Sequence, residues 1–408
     1  MGTEFLKIIE VDEAKKIIEN LFKENYEVKS ENISIANSYN RVISKNIDST
    51  IDLPPFDKAL KDGYAIKAED SFGATEENPK ILKCIDSVKA GSFSNKTIKN
   101  GKCIEISTGS PIPKGSDAVM MVEFSEKLNE SNDIAILKSV PPTEDIANKG
   151  SDIEKGKLIL KKGTILNPVK IGLLSAQGIN DLDVFKKPII SIISTGNELL
   201  NTNEKMDYGK IYDVNTNLIK GAILSSGGTP IIKGIVKDDY NQLKNRINES
   251  LKNSDILICS GGTSAGVGDV LKDFIEESGE ILIHGIAFKP GKPTLIGKIN
   301  GKIIIGLPGN PVSAIIVYNV FIDPYIRLIS GLSEKEANKR KKFKLAKRIH
   351  SAKGRMEYLL AEIKNNEVYP IFKDSGAITS LSYADAYMKI PKSTEIIDAG
   401  EIVEIILL

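Results

Sequence analysis

The sequence predicts a multidomain protein of α/β plus β class. A central, doubly wound parallel α/β domain is joined by a β-rich inserted domain and a small, barrel-like β domain at the C-terminus. Three observations carry this. A chain of 408 residues exceeds what a single core serves. Residues 188–330 alternate apolar β-type runs with helical segments, as a parallel sheet requires. Residues 46–140 and 331–408 hold short β-type runs divided by Gly, Pro and Asn turns.

Along the chain, VDEAKKIIENLF (11–22) places Ala14, Ile17, Ile18, Leu21 and Phe22 on one helical face, with Asp12 as the expected cap. YAIKA, KILKCID, KCIEIST, DAVMMVE and IAILKSV read as the strands of the inserted domain. Asn167-Pro168 opens a helix, Asn capping and Pro taking the first helical position. Residues 1–45 and 141–187 are therefore expected to form one discontinuous helical domain around the insertion. From 188 to 330, PIISIIST, TPIIKGIV, DILICSGG, ILIHGIAF and KIIIGLP read as strands. DVNTNLIKGAILSSG, YNQLKNRINESLK, DVLKDFIEES and PVSAIIVYNVFIDPYIRLI read as helices. KFKLAKRI, MEYLLAEI, EVYPIF, DAYMKI and EIVEIILL supply the last β domain.

Composition narrows the function. Lys+Arg 55 against Asp+Glu 54 gives a net charge of +1, without the basic excess of a nucleic-acid surface. The one basic run, 335–348, reads as a solvated helix and domain junction. No apolar stretch approaches the length that spans a bilayer, and MGTEFLKIIEVDEAKK has no signal-peptide core, so a cytoplasmic protein is expected. Cys84, Cys103 and Cys259 lie far apart with no CxxC, which offers neither a disulfide framework nor a zinc ribbon. With only His284 and His350, a divalent metal would be held by carboxylates and ligand oxygens, which points to Mg²⁺.

Chemistry collects after the strands of residues 188–330. The stretch CSGGTSAGVGDV (259–270) brings Gly261, Gly262, Thr263 and Ser264 before Asp269, between a buried strand and a helix. STGNEL (194–199), KDD (237–239) and LPGNPVS (307–313) follow other strands. Open α/β sheets bind ligands at the carboxyl ends of their strands. That rim would gather Glu198, Asp238 and Asp269 with bare backbone N–H groups, a set that suits phosphate when Mg²⁺ bridges it to the acids. KPGKP adds Lys289 and Lys292 as point charges for a tetrahedral oxyanion. Taken singly, each of these is an ordinary turn or a solvated lysine. In the inserted domain, LPPFDKALKDGYA carries Asp62, and STGSPIP presents Thr108 on a turn braced by two prolines.

With these motifs in order, the sequence resembles the molybdopterin molybdenumtransferase family, represented by MoeA and the E domain of gephyrin. LPPFD…DGYA, STGSPIP, GSDI, KGTILNPVKIGLLSAQGI, STGNEL, GKIYDVN, SGGTSAGVGD, KPGKP and LPGNPVSA span nearly the whole chain. The resemblance implies a four-domain homodimer with a molybdopterin-binding central domain. It also implies an active site shared between the α/β domain of one subunit and the β-rich domain of its partner. The implied reaction takes adenylylated molybdopterin and molybdate (or tungstate), inserts the metal at the dithiolene and releases AMP with Mg²⁺. An adenylyltransferase would act upstream and molybdoenzymes downstream. The family's catalytic residues fall on Asp62, Glu198, Asp238 and Asp269, with Glu198 and Asp269 as metal ligands. Thr108, Asp152, Lys289, Lys292, Ser313, Arg355 and Ser380 fall on substrate-binding positions.

The chain departs from the family pattern in several places. Lys58, Ala59 and Lys61 replace the customary Asn, Ser and Met before DGYA. Ser151 stands where a glutamate is usual, and Leu360 where an arginine is common. Two other functions fit parts of the sequence: a molybdopterin adenylyltransferase, which shares the SGGT turn, and a non-catalytic scaffold of the gephyrin type.

Overall fold

The structure, a computed structural model, describes residues 7–128, 132–261, 268–334, 339–351, 354–372 and 376–408, without the side chains of residues 268 and 269. The chain divides into two compact units. One comprises Asn46–Lys161 and Gly172–Asn180, the other Met1–Lys45, Lys162–Ile171 and Asp181–Leu408.

In the larger unit, helix α1 (Val11–Asn25) buries Ala14, Ile18, Leu21 and Phe22, as the spacing predicts. Asp12 is not its cap. Glu10 holds that position without a side-chain bond, and Asp12 falls in the first turn, where its charge favours the helix dipole instead.

The smaller unit is built on six strands: β1 (Gly63–Ile66), β2 (Lys80–Val88), β3 (Lys102–Ile106), β4 (Ala118–Met121), β5 (Ser125–Lys127) and β6 (Asp133–Ile136). They are ordered β4-β1-β3-β2-β6-β5. Both faces are apolar: Tyr64, Leu82, Cys103, Met120 and Ile134 pack on one, Ala65, Val88, Ile104 and Val119 on the other. β2 runs parallel to β3, and its register sets Cys84 directly beside Cys103. The expectation that the cysteines lie far apart fails here, because sheet pairing closes the intervening chain.

Helix α2 (Pro168–Ala176) begins as its sequence requires, the Asn167 side chain accepting the Lys170 N–H at 3.0 Å.

The central sheet of the larger unit uses β7 (Ile189–Thr195), β8 (Thr229–Val236), β9 (Ile256–Ser260) and β10 (Glu280–His284). A two-residue strand, β11 (Phe288–Lys289), lies outside this sheet, and β12 (Leu295–Ile299) and β13 (Lys302–Leu307) complete it in the order β8-β7-β9-β13-β12-β10. The strands β8, β7, β9 and β13 are mutually parallel. The edge is not. β12 pairs antiparallel with β13 and with β10, so the sheet is mixed where a parallel one was expected. The cause is local. Asn300 and Gly301 both adopt positive φ (49° and 76°), the two-residue turn that folds a chain straight back on itself.

Helices cover both faces: α3 (Asn215–Ser225), α4 (Tyr240–Lys252), α5 (Gly268–Ser278), α6 (Pro311–Val317) and α7 (Asp323–Ile329). Ile190, Ile192, Ile256, Ile258, Ile303 and Ile305 pack with α1, α3, α6 and α7, whereas Ile193, Leu257, Cys259 and Ile304 pack with α4 and α5. Strands buried on two sides read as unbroken apolar runs for that reason. A π-helical turn, Tyr318–Ile322, joins α6 to α7. Pro311–Ile329 thus forms a largely apolar span of 19 residues, long enough by composition to cross a membrane, which amends the sequence expectation. It is a core helix: Val317, Tyr318, Phe321, Ile322 and Ile326 are buried against the sheet cluster.

The C-terminal sheet holds β14 (Arg340–Leu345), β15 (Met356–Lys364), β16 (Glu367–Pro370), β17 (Ala386–Ile390) and β18 (Ile402–Leu407). The order β11-β15-β16-β14-β18-β17, closed by pairing of β15 with β17, makes a barrel. Tyr358, Leu360, Tyr387 and Ile406 join the core of the central domain.

Candidate functional site

Because β7, β9 and β13 are parallel, their carboxyl ends share one edge, and a cleft of about 1560 Å³ opens there. Its lining includes Thr195 and Glu198 after β7, Asp238 after β8 and Gly261 after β9. The Lys289–Pro293 loop, Ser313 at the start of α6 and Arg355 before β15 complete that side.

Two glycines are fixed by space. At Gly261 φ is +90°, and a Cβ would sit 2.4 Å from the Thr195 carbonyl oxygen. At Gly291 φ is +121°, and a Cβ would meet Phe288 and Val317 at 2.6 Å each. Both turns therefore bring backbone against backbone or core, and the Gly261 N–H itself donates to the Leu307 carbonyl at 3.2 Å.

The acids are held differently. The Glu198 carboxylate folds over the α-carbon of Gly196, its oxygens 2.6 and 2.7 Å from where a Cβ there would lie. The Asp238 backbone N–H donates to the Asn197 side chain at 3.2 Å, tying the turn after β8 to the turn after β7. Asp213 accepts the N–H (3.1 Å) and hydroxyl (2.5 Å) of Thr216, which also bonds Ser194 at 2.8 Å, so this acid is committed to starting α3. Asn215 donates to the Gly309 carbonyl at 2.7 Å and bridges α3 to the turn after β13.

Three lining groups that sequence reasoning missed stand out. Thr195 Oγ1, Ser260 Oγ and Asn215 Oδ1 are buried without a hydrogen-bond partner. A buried polar atom left unpaired destabilises the fold, so such atoms at a cleft floor mark where ligand atoms complete the bonding. Their signal was present in STGNEL, CSGG and DVN, but motif reading favoured the charged members. Met206, Ile211, Tyr212 and Val214 add an apolar side to the same cleft.

The positive end is graded. Lys289 pairs with Glu357 at 3.1 Å, and Ser351 donates to the same carboxylate at 2.7 Å. Lys292 and Arg355 have no ion-pair partner among the described residues, which leaves their charge for an anion. Cys259, at the end of β9, is fully buried and its thiol is pushed up to about 12, so it packs the core and is no nucleophile.

Thus Glu198, Asp238, Gly261, Lys289, Lys292, Ser313 and Arg355 line one cleft. Asp269 lies in the first turn of α5, the helix after β9, but its side chain is outside the described residues, as are Gly262, Thr263 and Ser264. Ser380 is not brought to the cleft. It is fully buried, and its hydroxyl donates to the Ala377 carbonyl at 2.6 Å; Ile378 of the same 3-10 turn lines the cleft instead. Asp62, Thr108 and Asp152 belong to the smaller unit and are exposed. Asp62 accepts two bonds from Thr108, which hold its carboxyl below the usual range.

Comparison with known families matches the description "MoeA N-terminal region (domain I and II)" over residues 9–178. It matches "Probable molybdopterin binding domain" over 191–328 and "MoeA C-terminal region (domain IV)" over 342–408. A Methanocaldococcus jannaschii protein whose name places it in molybdopterin biosynthesis is 35% identical, covering 94% of this chain and 93% of the relative. A Staphylococcus aureus molybdopterin molybdenumtransferase is 31% identical, covering 96% and 94%. A solved molybdopterin biosynthesis MoeA protein from Pyrococcus horikoshii is 37% identical with a TM-score of 0.83, covering 98% of this chain and 99% of that one.

Proposed function

The chain belongs to the MoeA family, and we propose that it is a molybdopterin molybdenumtransferase, a transferase of molybdenum cofactor biosynthesis that uses the cleft at the strand ends. One observation carries the chemistry: Glu198 and Asp238 share that cleft with Lys292 and Arg355. The finer reading is that adenylylated molybdopterin and molybdate are its substrates and AMP a product.

Each group then has a task. Lys292 and Arg355 attract molybdate, a tetrahedral dianion, and hold it for the dithiolene sulfurs. The hydroxyls of Thr195 and Ser260 bond phosphate oxygens. The apolar wall of Met206, Ile211 and Tyr212 covers a planar heterocycle. Asp238 orients the group that approaches phosphorus.

The donor set fits Mg²⁺. Carboxylates and hydroxyls, such as those of Glu198, Thr195 and Ser260, are hard oxygen ligands. Such a site suits an ion that keeps waters and shares substrate phosphates. Glu198 would hold it together with Asp269, and the ion, when bound, neutralises charge on the phosphoanhydride.

Incubation of the chain with adenylylated molybdopterin, molybdate and Mg²⁺ tests the reading. AMP release with molybdenum retained on the pterin is expected, without ATP turnover. ATP consumption on unmodified molybdopterin would mean an adenylyltransferase, and no turnover of either would mean a scaffold. The full-length match to enzymes named molybdopterin molybdenumtransferase favours the first outcome. The reading also carries a cytoplasmic homodimer, which sedimentation of the purified chain tests.

A further inference from the structure

The β-rich unit holds a second chemical site unrelated to the cleft. Cys84 on β2 and Cys103 on β3 are register partners in a parallel pair, and both thiols are free. Their side chains share one face: Cys103 is buried in the cluster of Tyr64, Leu82 and Met120, and Cys84 packs at its edge. Neighbouring strands run about 4.8 Å apart, within the span of about 4.4–6.8 Å between α-carbons that a disulfide bridges.

The two thiols are not equivalent. Cys84 is half-exposed, whereas Cys103 is fully buried. Hydrogen bonding from the Cys103 thiol pushes the Cys84 thiol below the usual range, and its role as donor, with burial, pushes Cys103 up. A half-exposed thiol held below the usual range is the setting of a reactive cysteine. A second thiol at its side is what turns an adduct into a bridge.

We propose that Cys84 is a site of covalent modification by small disulfides, and that Cys103 resolves the adduct into an intramolecular Cys84–Cys103 disulfide. The Cys84 thiolate attacks one sulfur of the small disulfide. That S–S bond breaks, one small thiolate leaves, and a mixed disulfide remains on Cys84. Cys103 gives its proton to solvent and attacks the Cys84 sulfur, expelling the second small thiolate. Two protein thiols lose two electrons and two protons, and the small disulfide becomes two thiols.

Oxidised glutathione serves as the probe. After exposure of the full chain, acid quenching and peptide mass mapping should find a Cys84–Cys103 cross-link without retained glutathione. Cys103→Ser and Cys103→Ala should both stop at one glutathione on Cys84. Cys84→Ser should leave Cys103 unreacted. Fully buried Cys259 reports folding, since it takes label only in an opened chain. A persistent adduct on wild-type Cys84, or three free thiols in a chain whose Cys259 stays protected, overturns the proposal.

Discussion

One carboxylate oxygen of Asp62 accepts two hydrogen bonds from Thr108, the backbone N–H at 2.6 Å and the hydroxyl at 3.0 Å. The two residues are 46 apart in sequence and meet because β1 and β3 pair antiparallel from Gly63 opposite Ile106. This is a short arc closed by sheet register, and it fixes an exposed acid in one orientation.

Thr108→Val keeps the N–H and removes the hydroxyl, so the Asp62 pKa should rise toward the ordinary carboxylate value. A depressed folded pKa means that the bonds add stability above the unfolded pKa and lose it as pH falls through the lower, folded value. Carboxyl NMR titration measures the shift. An unchanged Asp62 titration in Thr108→Val would show that the hydroxyl does not matter.

Thr195→Val and Ser260→Ala should separate stability from activity. Each removes a buried hydroxyl that has no partner, so melting should hold or rise by up to about 1 kcal/mol. Turnover should nevertheless fall by about tenfold, the value of one hydrogen bond of about 1.4 kcal/mol to a charged ligand. Parallel loss of both would make these hydroxyls structural.

The cations of the cleft should rank by their pairing. Lys292→Ala and Arg355→Ala should each weaken molybdate binding about tenfold or more, the range of a charge-assisted bond. Lys289→Ala should cost less, since Glu357 already neutralises it at 3.1 Å. Glu357→Gln should then tighten molybdate binding through the freed Lys289. Equilibrium dialysis reads all four, and an equal loss for the three cations would remove the ranking.

Gly261→Ala should destabilise the larger unit by at least about 2 kcal/mol, because the methyl group meets the Thr195 carbonyl and the backbone holds φ +90°. Gly309→Ala is the control: its Cβ would find its nearest neighbour, the Gly261 α-carbon, at 3.8 Å. Denaturant melts compare the two variants, and similar midpoints would refute the steric argument.

Much of the site was legible because strand order and periodicity are local properties. Glu198, Asp238, Lys292 and Ser313 each follow a recognisable apolar strand or open a helix, and parallel pairing gathers such turns on one edge. Ser380 misled because sequence shows a hydroxyl but not the tight turn that consumes it. The mixed edge of the sheet went unread although Asn300-Gly301 announced its hairpin. Thr195, Ser260 and Asn215 were overlooked because an unsatisfied donor or acceptor exists only once neighbours are placed.

Sequence by itself determined the family, the covered sheet with its carboxyl-end turns, and the closing β domain. These follow from hydrophobic period, turn chemistry and motif order, which a linear chain displays in full. Tertiary structure alone decided that Glu357 neutralises Lys289, that Thr108 grips Asp62, and that Cys84 lies beside Cys103. Each of those depends on strand register, where a shift by one residue turns every side chain to the opposite face, and no local pattern fixes that choice.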